Sequence, residues 1–175
     1  MTNTLPTDIF LSEQVREIDR SAIVDHGVDG FELMQAAARF SFHTLIKKQP
    51  SVRHLIVLCG SGNNAGDGYI IAAIAKKRRL LVSVLYLCDP EKLSGDAQKA
   101  YQLCIDQQVN CQAYGSSIFA ELISQQPKHG STPSQKEQSV IIDALLGTGL
   151  NAEVKGSYLD AINQANRGAL PILSI

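Results

Sequence analysis

The sequence predicts an α/β fold built on a mainly parallel sheet, with two helices ahead of the first strand. Three observations carry this. Apolar runs recur at residues 55–59, 80–87, 109–113, 140–142 and 170–175, and helical stretches at 68–79, 94–107, 116–126 and 155–167 separate them. Strand–helix alternation of this kind implies parallel strands joined by right-handed crossovers. The first, second and fourth runs are almost continuously apolar, as in strands covered on both faces. Finally, a glycine-rich segment follows the first run and opens a helix, the order in which open α/β sheets set a ligand on a helix N-terminus.

The two leading helices read from capping and periodicity. Ser12 predicts an N-cap with Glu13 in the first turn, after which Val15, Ile18 and Ala22 repeat at helical spacing until Gly27 stops them. A second helix starts near Asp29, lines up Phe31, Met34, Ala38 and Leu45 on one face, and ends before Pro50. Between helix and strand, residues 127–139 hold Pro, Gly, Ser, Thr, Lys and Gln without apolar period and read as a solvated loop.

A chain of 175 residues suits one domain with a sizeable core. Hydrophobic residues make up 45% and charged ones 19%, which favours a packed chain over disorder. Lys plus Arg number 16 against 17 acids, so charge gives no general pull toward nucleic acid or anionic membranes. The run Lys76-Lys77-Arg78-Arg79 reads as a solvated helix C-terminus, since a nucleic-acid patch would carry interleaved aromatics. Cys59, Cys88, Cys104 and Cys111 form no C-x-x-C pair and read as core thiols of a reducing compartment. Residues 1–6 lack the basic start and apolar core of a signal peptide, and no run is long enough to span a bilayer. The expectation is a cytoplasmic protein with no nucleic-acid or membrane partner.

Two segments carry chemistry. The first is Gly60-Ser61-Gly62-Asn63-Asn64-Ala65-Gly66-Asp67-Gly68. Its Gly60-x-Gly62-x-x-Ala65 spacing fits a dinucleotide fingerprint, with Asp89 at the end of the second strand near where an acid would hold a ribose. Yet an ionised Asp67 would repel an anion, and Asn63 and Asn64 offer paired donors and acceptors. Those groups suit a polyhydroxylated or amide-bearing ligand better than bare phosphate; the alternative is plain turn chemistry, which Asn and Asp also serve. The second segment is Asp143-Ala144-Leu145-Leu146-Gly147-Thr148-Gly149-Leu150, with Asp143 closing the fourth strand. If the first and fourth strands flank the topological switch point, both segments meet at one crevice. There the N–H groups of residues 147–150 could take an anion. Asp143 and the amide oxygen of Asn64 could hold a hard cation through oxygen. No histidine has H-x-x-x-H or H-E-x-x-H spacing and no G-x-S-x-G elbow occurs, so zinc and serine-hydrolase chemistry are not expected.

Together these segments resemble the YjeF N-terminal family, the NAD(P)H-hydrate epimerases. The segment Glu13-Gln14-Val15-Arg16-Glu17-Ile18-Asp19 and the pattern Glu32-Leu33-Met34-x-x-Ala37 match the family's leading helices, so the resemblance spans nearly the whole chain. Ala65 departs from the family's frequent glycine, a mild change where φ stays negative. The resemblance implies a Rossmann-like three-layer α/β/α domain, a homodimer, and interconversion of the R and S forms of NADHX and NADPHX in nicotinamide cofactor repair. A dehydratase accepting only the S form is commonly fused to it. By position, Asn63, Asn64, Ala65, Gly66 and Asp67 would contact the substrate, with Gly147, Thr148, Gly149, Leu150, Asn151, Ala152 and Glu153 forming a second substrate loop. Asn64 and Asp143 would bind potassium. No catalytic residue is assigned; Asp67 is the in-chain carboxylate available near the loop.

The family continues into Asp-x-Pro-Ser-Gly where this chain reaches Ile175. Residues 1–175 are therefore expected to be this domain without its C-terminal part, with weak or absent epimerase activity. Two other readings stay open: a non-catalytic binding or scaffold module, against which Asn64, Asp67 and Asp143 speak, and an ordinary NAD-binding oxidoreductase using Asp89.

Overall fold

A computed structural model describes residues 10–124 and 138–175. The predicted loop therefore lies outside the described residues, except that Gln138 and Ser139 already belong to a strand. So does the N-terminal segment 1–6.

In chain order the elements are α1 (Ser12–Val24), α2 (Gly30–Lys48), β1 (Val52–Cys59), α3 (Gly62–Lys77), β2 (Leu81–Tyr86), a 3-10 turn (Pro90–Lys92), α4 (Gly95–Asp106), β3 (Asn110–Ala113), α5 (Ser116–Ser124), β4 (Gln138–Ala144), α6 (Gly156–Arg167) and β5 (Ile172–Ser174). The strands form one all-parallel sheet in the order β3-β2-β1-β4-β5. The order reverses beside β1, so β1 and β4 lie next to one another at the switch point, as the sequence predicts.

Alternation along β1 builds two cores. Leu55, Val57 and Cys59 face α2, α3 and α4, while Ile56 and Leu58 face α5 and α6 through Phe119, Ala161 and Ala165. Three layers result. The predicted face of α2 is buried at Met34, Ala38 and Leu45, and Asp29 caps that helix by accepting the Glu32 N–H at 3.0 Å. Lys76, Lys77, Arg78 and Arg79 are exposed at the end of α3. The described residues contain no helix long and apolar enough to cross a membrane.

The structure departs from the sequence expectation at several points. First, α3 begins at Gly62 rather than Gly68, which draws most of the glycine-rich segment into a helix. Second, Ser12 lies inside α1, whose start is closed instead by Gln14 Oε1 accepting the Leu11 N–H at 2.8 Å. Third, the expected apolar face of α1 is uncovered: the helix buries none of its residues. Of β2, only Val84 and Leu85 are fully covered, because its outer neighbour β3 is four residues long. All four cysteines are free thiols.

Candidate functional site

The site grows from the C-terminal ends of β1 and β4. Their register sets Cys59 level with Ala144, and the next residue, Gly60, donates its N–H to the Ala144 carbonyl at 3.0 Å. A Cβ at Gly60 would collide with the Leu145 carbonyl, so only glycine lets the two chains turn away this close together. Gly62 then takes a φ of 77°, in the left-handed region, and starts α3 abruptly. The Ser61 side chain makes no capping bond. The first N–H groups of α3 thus remain available at the positive end of the helix dipole, where anionic groups are favoured.

Side chains stitch the second turn to the first. Asn64 Nδ2 donates to the Leu146 carbonyl at 3.2 Å. Asp143 steadies the start of its own turn: Oδ1 accepts the Leu145 N–H at 3.1 Å and Oδ2 accepts Ser174 Oγ at 3.3 Å. From α1, Arg16 donates to the Thr148 carbonyl and, through Nε, to Thr148 Oγ1 at 3.4 Å. Between the two turns lies a cavity of about 940 Å³, at the large end of the range for small-molecule sites.

Of the residues singled out from sequence, Asn63, Asn64, Gly147, Thr148, Gly149, Leu150 and Asn151 line this cavity. Ala65 and Gly66 are buried in α3 and do not. Ala65 keeps ordinary helical backbone there, so its replacement of glycine costs no left-handed strain. Ala152 and Glu153 lie beyond the lining, and Glu153 pairs with Lys155 at 2.9 Å. Asp89 is also outside; its Oδ1 caps the 3-10 turn by accepting the Glu91 N–H at 3.1 Å.

Asp67 lies one turn deeper in α3. Its Oδ1 is shielded from water and has no hydrogen-bond partner among the described residues. Burial, and secondarily the charge of Asp19, push its carboxyl up to about 6. Such a group gives up and recovers a proton near neutral pH, which suits acid–base chemistry.

Sequence reasoning by motif missed several lining residues, among them Val15 and Asp19 of α1, Ser61, Leu145 and Ile175. The signal for Asp19 was its place in the leading-helix segment; Leu145 and Ile175 are ordinary core types with no polar signature.

As a cation site, Asn64 and Asp143 supply oxygen alone: a carboxylate, an amide oxygen and nearby main-chain carbonyls such as Leu146. That set fits a hard, weakly charged ion better than a transition metal. Among the described residues no three His, Cys, Asp or Glu side chains gather into a metal-binding group.

A family model described as "YjeF-related protein N-terminus" matches residues 30–175. The bifunctional NAD(P)H-hydrate repair enzyme Nnr of Coxiella burnetii is 34% identical over 171 residues, covering 95% of this chain and 31% of that protein. Its counterpart in Escherichia coli is 30% identical over 172 residues, covering 98% of this chain and 30% of that one. The NAD(P)H-hydrate epimerase of Roseobacter litoralis is 31% identical over 166 residues, covering 91% of this chain and 73% of that protein. Among solved structures, yeast ynu0, YNL200c, superposes with a TM-score of 0.79 at 19% identity over 96% of this chain and 69% of that one, a likeness of fold. The chain spans about a third of the length of its bifunctional relatives.

Proposed function

The chain belongs to the family of YjeF-related protein N-termini, and from that premise we propose that it acts as an NAD(P)H-hydrate epimerase, interconverting the R and S forms of NADHX and NADPHX. The Roseobacter litoralis relative carries that activity in its name, and the Coxiella burnetii relative is named a bifunctional NAD(P)H-hydrate repair enzyme. The observation that carries the proposal is the meeting of Asn64 with the turn at Leu146 above the adjacent ends of β1 and β4. Two polar turns, distant in sequence, thereby enclose one cavity large enough for a nucleotide.

The chemistry asks for a carbon–oxygen bond to break and reform. The hydroxyl leaves from the carbon beside the ring nitrogen, whose lone pair stabilises the resulting iminium cation, and water returns on either face. An acid must protonate the departing hydroxyl and a base must take a proton from the returning water. Asp67, with its carboxyl raised toward neutrality, is suited to the first task. The free N–H groups at the start of α3 would take the anionic phosphates, and Asn63 and Asn64 would orient hydroxyl or carboxamide groups. Residues 147–153 would close over the ligand as the second substrate loop. Asn64 and Asp143 would hold a potassium ion, which when bound supplies fixed positive charge beside the substrate. We also place the protein in the cytoplasm, as a homodimer working with an NAD(P)HX dehydratase.

The test is stereochemical. R-NADHX is incubated with the 175-residue chain and the S form followed by chromatography. Asn64→Ala and Asp143→Ala should each slow conversion about 10-fold or more, whereas Asp89→Ala should leave it unchanged. Weak conversion by this chain is compatible with the family reading; conversion no faster than in buffer both by this chain and by a form extended through the family's Asp-x-Pro-Ser-Gly segment would end the proposal, and a large loss in Asp89→Ala would favour an ordinary dinucleotide site.

A further inference from the structure

The C-terminal end of α4 and the strand β3 bring two thiols together. The chain leaves α4 through a tight reversal: the Cys104 carbonyl accepts the Val109 N–H at 3.2 Å, and Gln108 takes a φ of 54°. Left-handed backbone is uncommon at a residue other than glycine, so the surrounding structure holds this turn in place. It folds β3 back against the helix, and Cys104 Sγ and Cys111 Sγ meet at 3.7 Å in a thiol–thiol hydrogen bond.

The two sulfurs differ in their surroundings. Cys104 is fully buried, whereas Cys111 is half-buried on β3, which among the described residues pairs only with β2 and forms an edge of the sheet. Negative charge costs less at Cys111, so the hydrogen between the sulfurs belongs to Cys104. That bond holds the Cys111 thiol below its usual range, against the opposing effect of burial, and the same bond together with burial pushes Cys104 up. The other two cysteines lack this arrangement. Cys59 is sealed in the core with its Sγ 3.8 Å from the Ala65 carbonyl, and Cys88, half-buried like Cys111, sets its Sγ 3.9 Å from the Asp89 carbonyl. Packing asks only for small apolar side chains at positions 104 and 111. A thiolate-prone sulfur near the surface, backed by a second thiol, is the arrangement of a redox-responsive pair.

We propose that Cys104 and Cys111 form a peroxide-responsive dithiol, in which Cys111 is the sulfur oxidised and Cys104 the thiol that closes it into a reversible disulfide. The oxidant is a hydroperoxide, hydrogen peroxide being the simplest. The Cys111 thiolate attacks one peroxide oxygen and the O–O bond breaks. The departing hydroxide takes up the proton that Cys111 had lost and leaves as water, and Cys111 becomes a sulfenic acid. Cys104 sulfur then attacks Cys111 sulfur, the S–O bond breaks, and the hydroxyl leaves with the Cys104 proton as a second water. The two thiols give up two electrons and two hydrogens, and the peroxide is reduced to two waters. The sulfurs must close by about 1.7 Å from their present separation to reach disulfide length, within the sweep of side-chain rotation at two Cβ atoms. In a reducing compartment the pair rests as thiols and bridges only transiently. The bridge would pin the last turn of α4 to the sheet edge. None of this depends on the epimerase reading.

The test uses the 175-residue chain, treated folded with hydrogen peroxide, then quenched, unfolded, alkylated and cut with trypsin. Residues 100–128 make one tryptic peptide that carries both Cys104 and Cys111, while Cys59 and Cys88 fall on others. After peroxide this peptide should lack two hydrogens and take no alkyl group, and dithiothreitol should restore two alkylation sites. Cys111 should be consumed roughly 10-fold faster than Cys88. In Cys104→Ala, Cys111 should be trapped by dimedone as the sulfenic acid and pass on to the sulfinic acid, with no bridge. The measurements on the parent decide the matter whether or not that variant folds. A 100–128 peptide still doubly alkylated after peroxide overturns the proposal. So does bridging as fast in urea as in the folded chain, because the fold then contributes nothing, and so does a bridge from either cysteine to Cys59 or Cys88.

Discussion

Replacing Gly68 by alanine pits two effects against each other. Alanine is the better helix former by about 0.8–1.0 kcal/mol. But a Cβ at Gly68 would stand 2.6 Å from Ala144 Cβ, 3.1 Å from Cys59 Sγ and 3.4 Å from Val57 Cγ1. Carbon atoms rest at about 3.5–4.0 Å, so α3 and the sheet must part by about 1 Å. Nothing there can swing aside: the Ala144 methyl is fixed to its strand, and Ala144, Cys59 and Val57 are all fully buried. Overpacking of this kind costs about 1–3 kcal/mol; set against the helical gain, the net is a loss of about 0–2 kcal/mol, toward the upper end because no neighbour can yield. Gly66→Ala is the control. It offers the same helical gain, but its new Cβ would meet Met34 Sδ at 2.7 Å and Cε at 2.9 Å, the loose end of a flexible chain, with Ala97 Cα at 3.2 Å. Its net change should lie near zero. Urea unfolding followed by circular dichroism reads both: the Gly68→Ala midpoint should fall at unchanged slope while Gly66→Ala stays near the parent. Equal midpoints for the two variants, or a Gly68→Ala protein as stable as the parent, would refute the packing argument.

Asp67 also makes stability depend on pH. Folded, its carboxyl titrates at about 6; unfolded, an aspartate titrates at about 3.9. Between these values the folded chain binds more protons, so the contribution of Asp67 declines as pH rises through this window and stays lost above it. Asp67→Asn should therefore gain on the parent in thermal midpoint between about pH 4 and pH 7; a gap that stays constant across that range would contradict the raised titration. Arg16→Ala should speed hydrogen exchange along α1 and leave the urea midpoint of the sheet core unchanged, because α1 buries no residue. A global loss of stability would show that α1 is part of the cooperative core.

Legibility in the sequence followed the physics of burial. The strands β1 and β4 were readable because their centres are covered on both faces and hydrophobicity runs unbroken from Leu55 to Cys59 and from Val140 to Ile142. The pairing of their ends followed from topology rules rather than from any residue, and it correctly brought Asn64 to the second turn. The start of α3 was not readable. Gly60, Gly62, Gly66 and Gly68 punctuate the segment like a loop, but Gly66 and Gly68 serve close packing inside a helix. Without coordinates, a glycine that turns the chain and a glycine that clears space look alike. Asp19 escaped because a lone acid on an amphipathic helix normally faces solvent, and only the tertiary placement of α1 brings it to the cavity. The uncovered face of α1 was likewise invisible, since periodicity says that a face is apolar and not what meets it.

The clasp between Gly60 and Ala144 is made of main chain, and the Asn64 side chain grips a carbonyl rather than another side chain. Mutational drift in Ser61, Thr148 or Leu150 therefore leaves the spacing of the two walls untouched. Descendants of such a domain could exchange the groups that read a ligand, one residue at a time, while inheriting the same aperture.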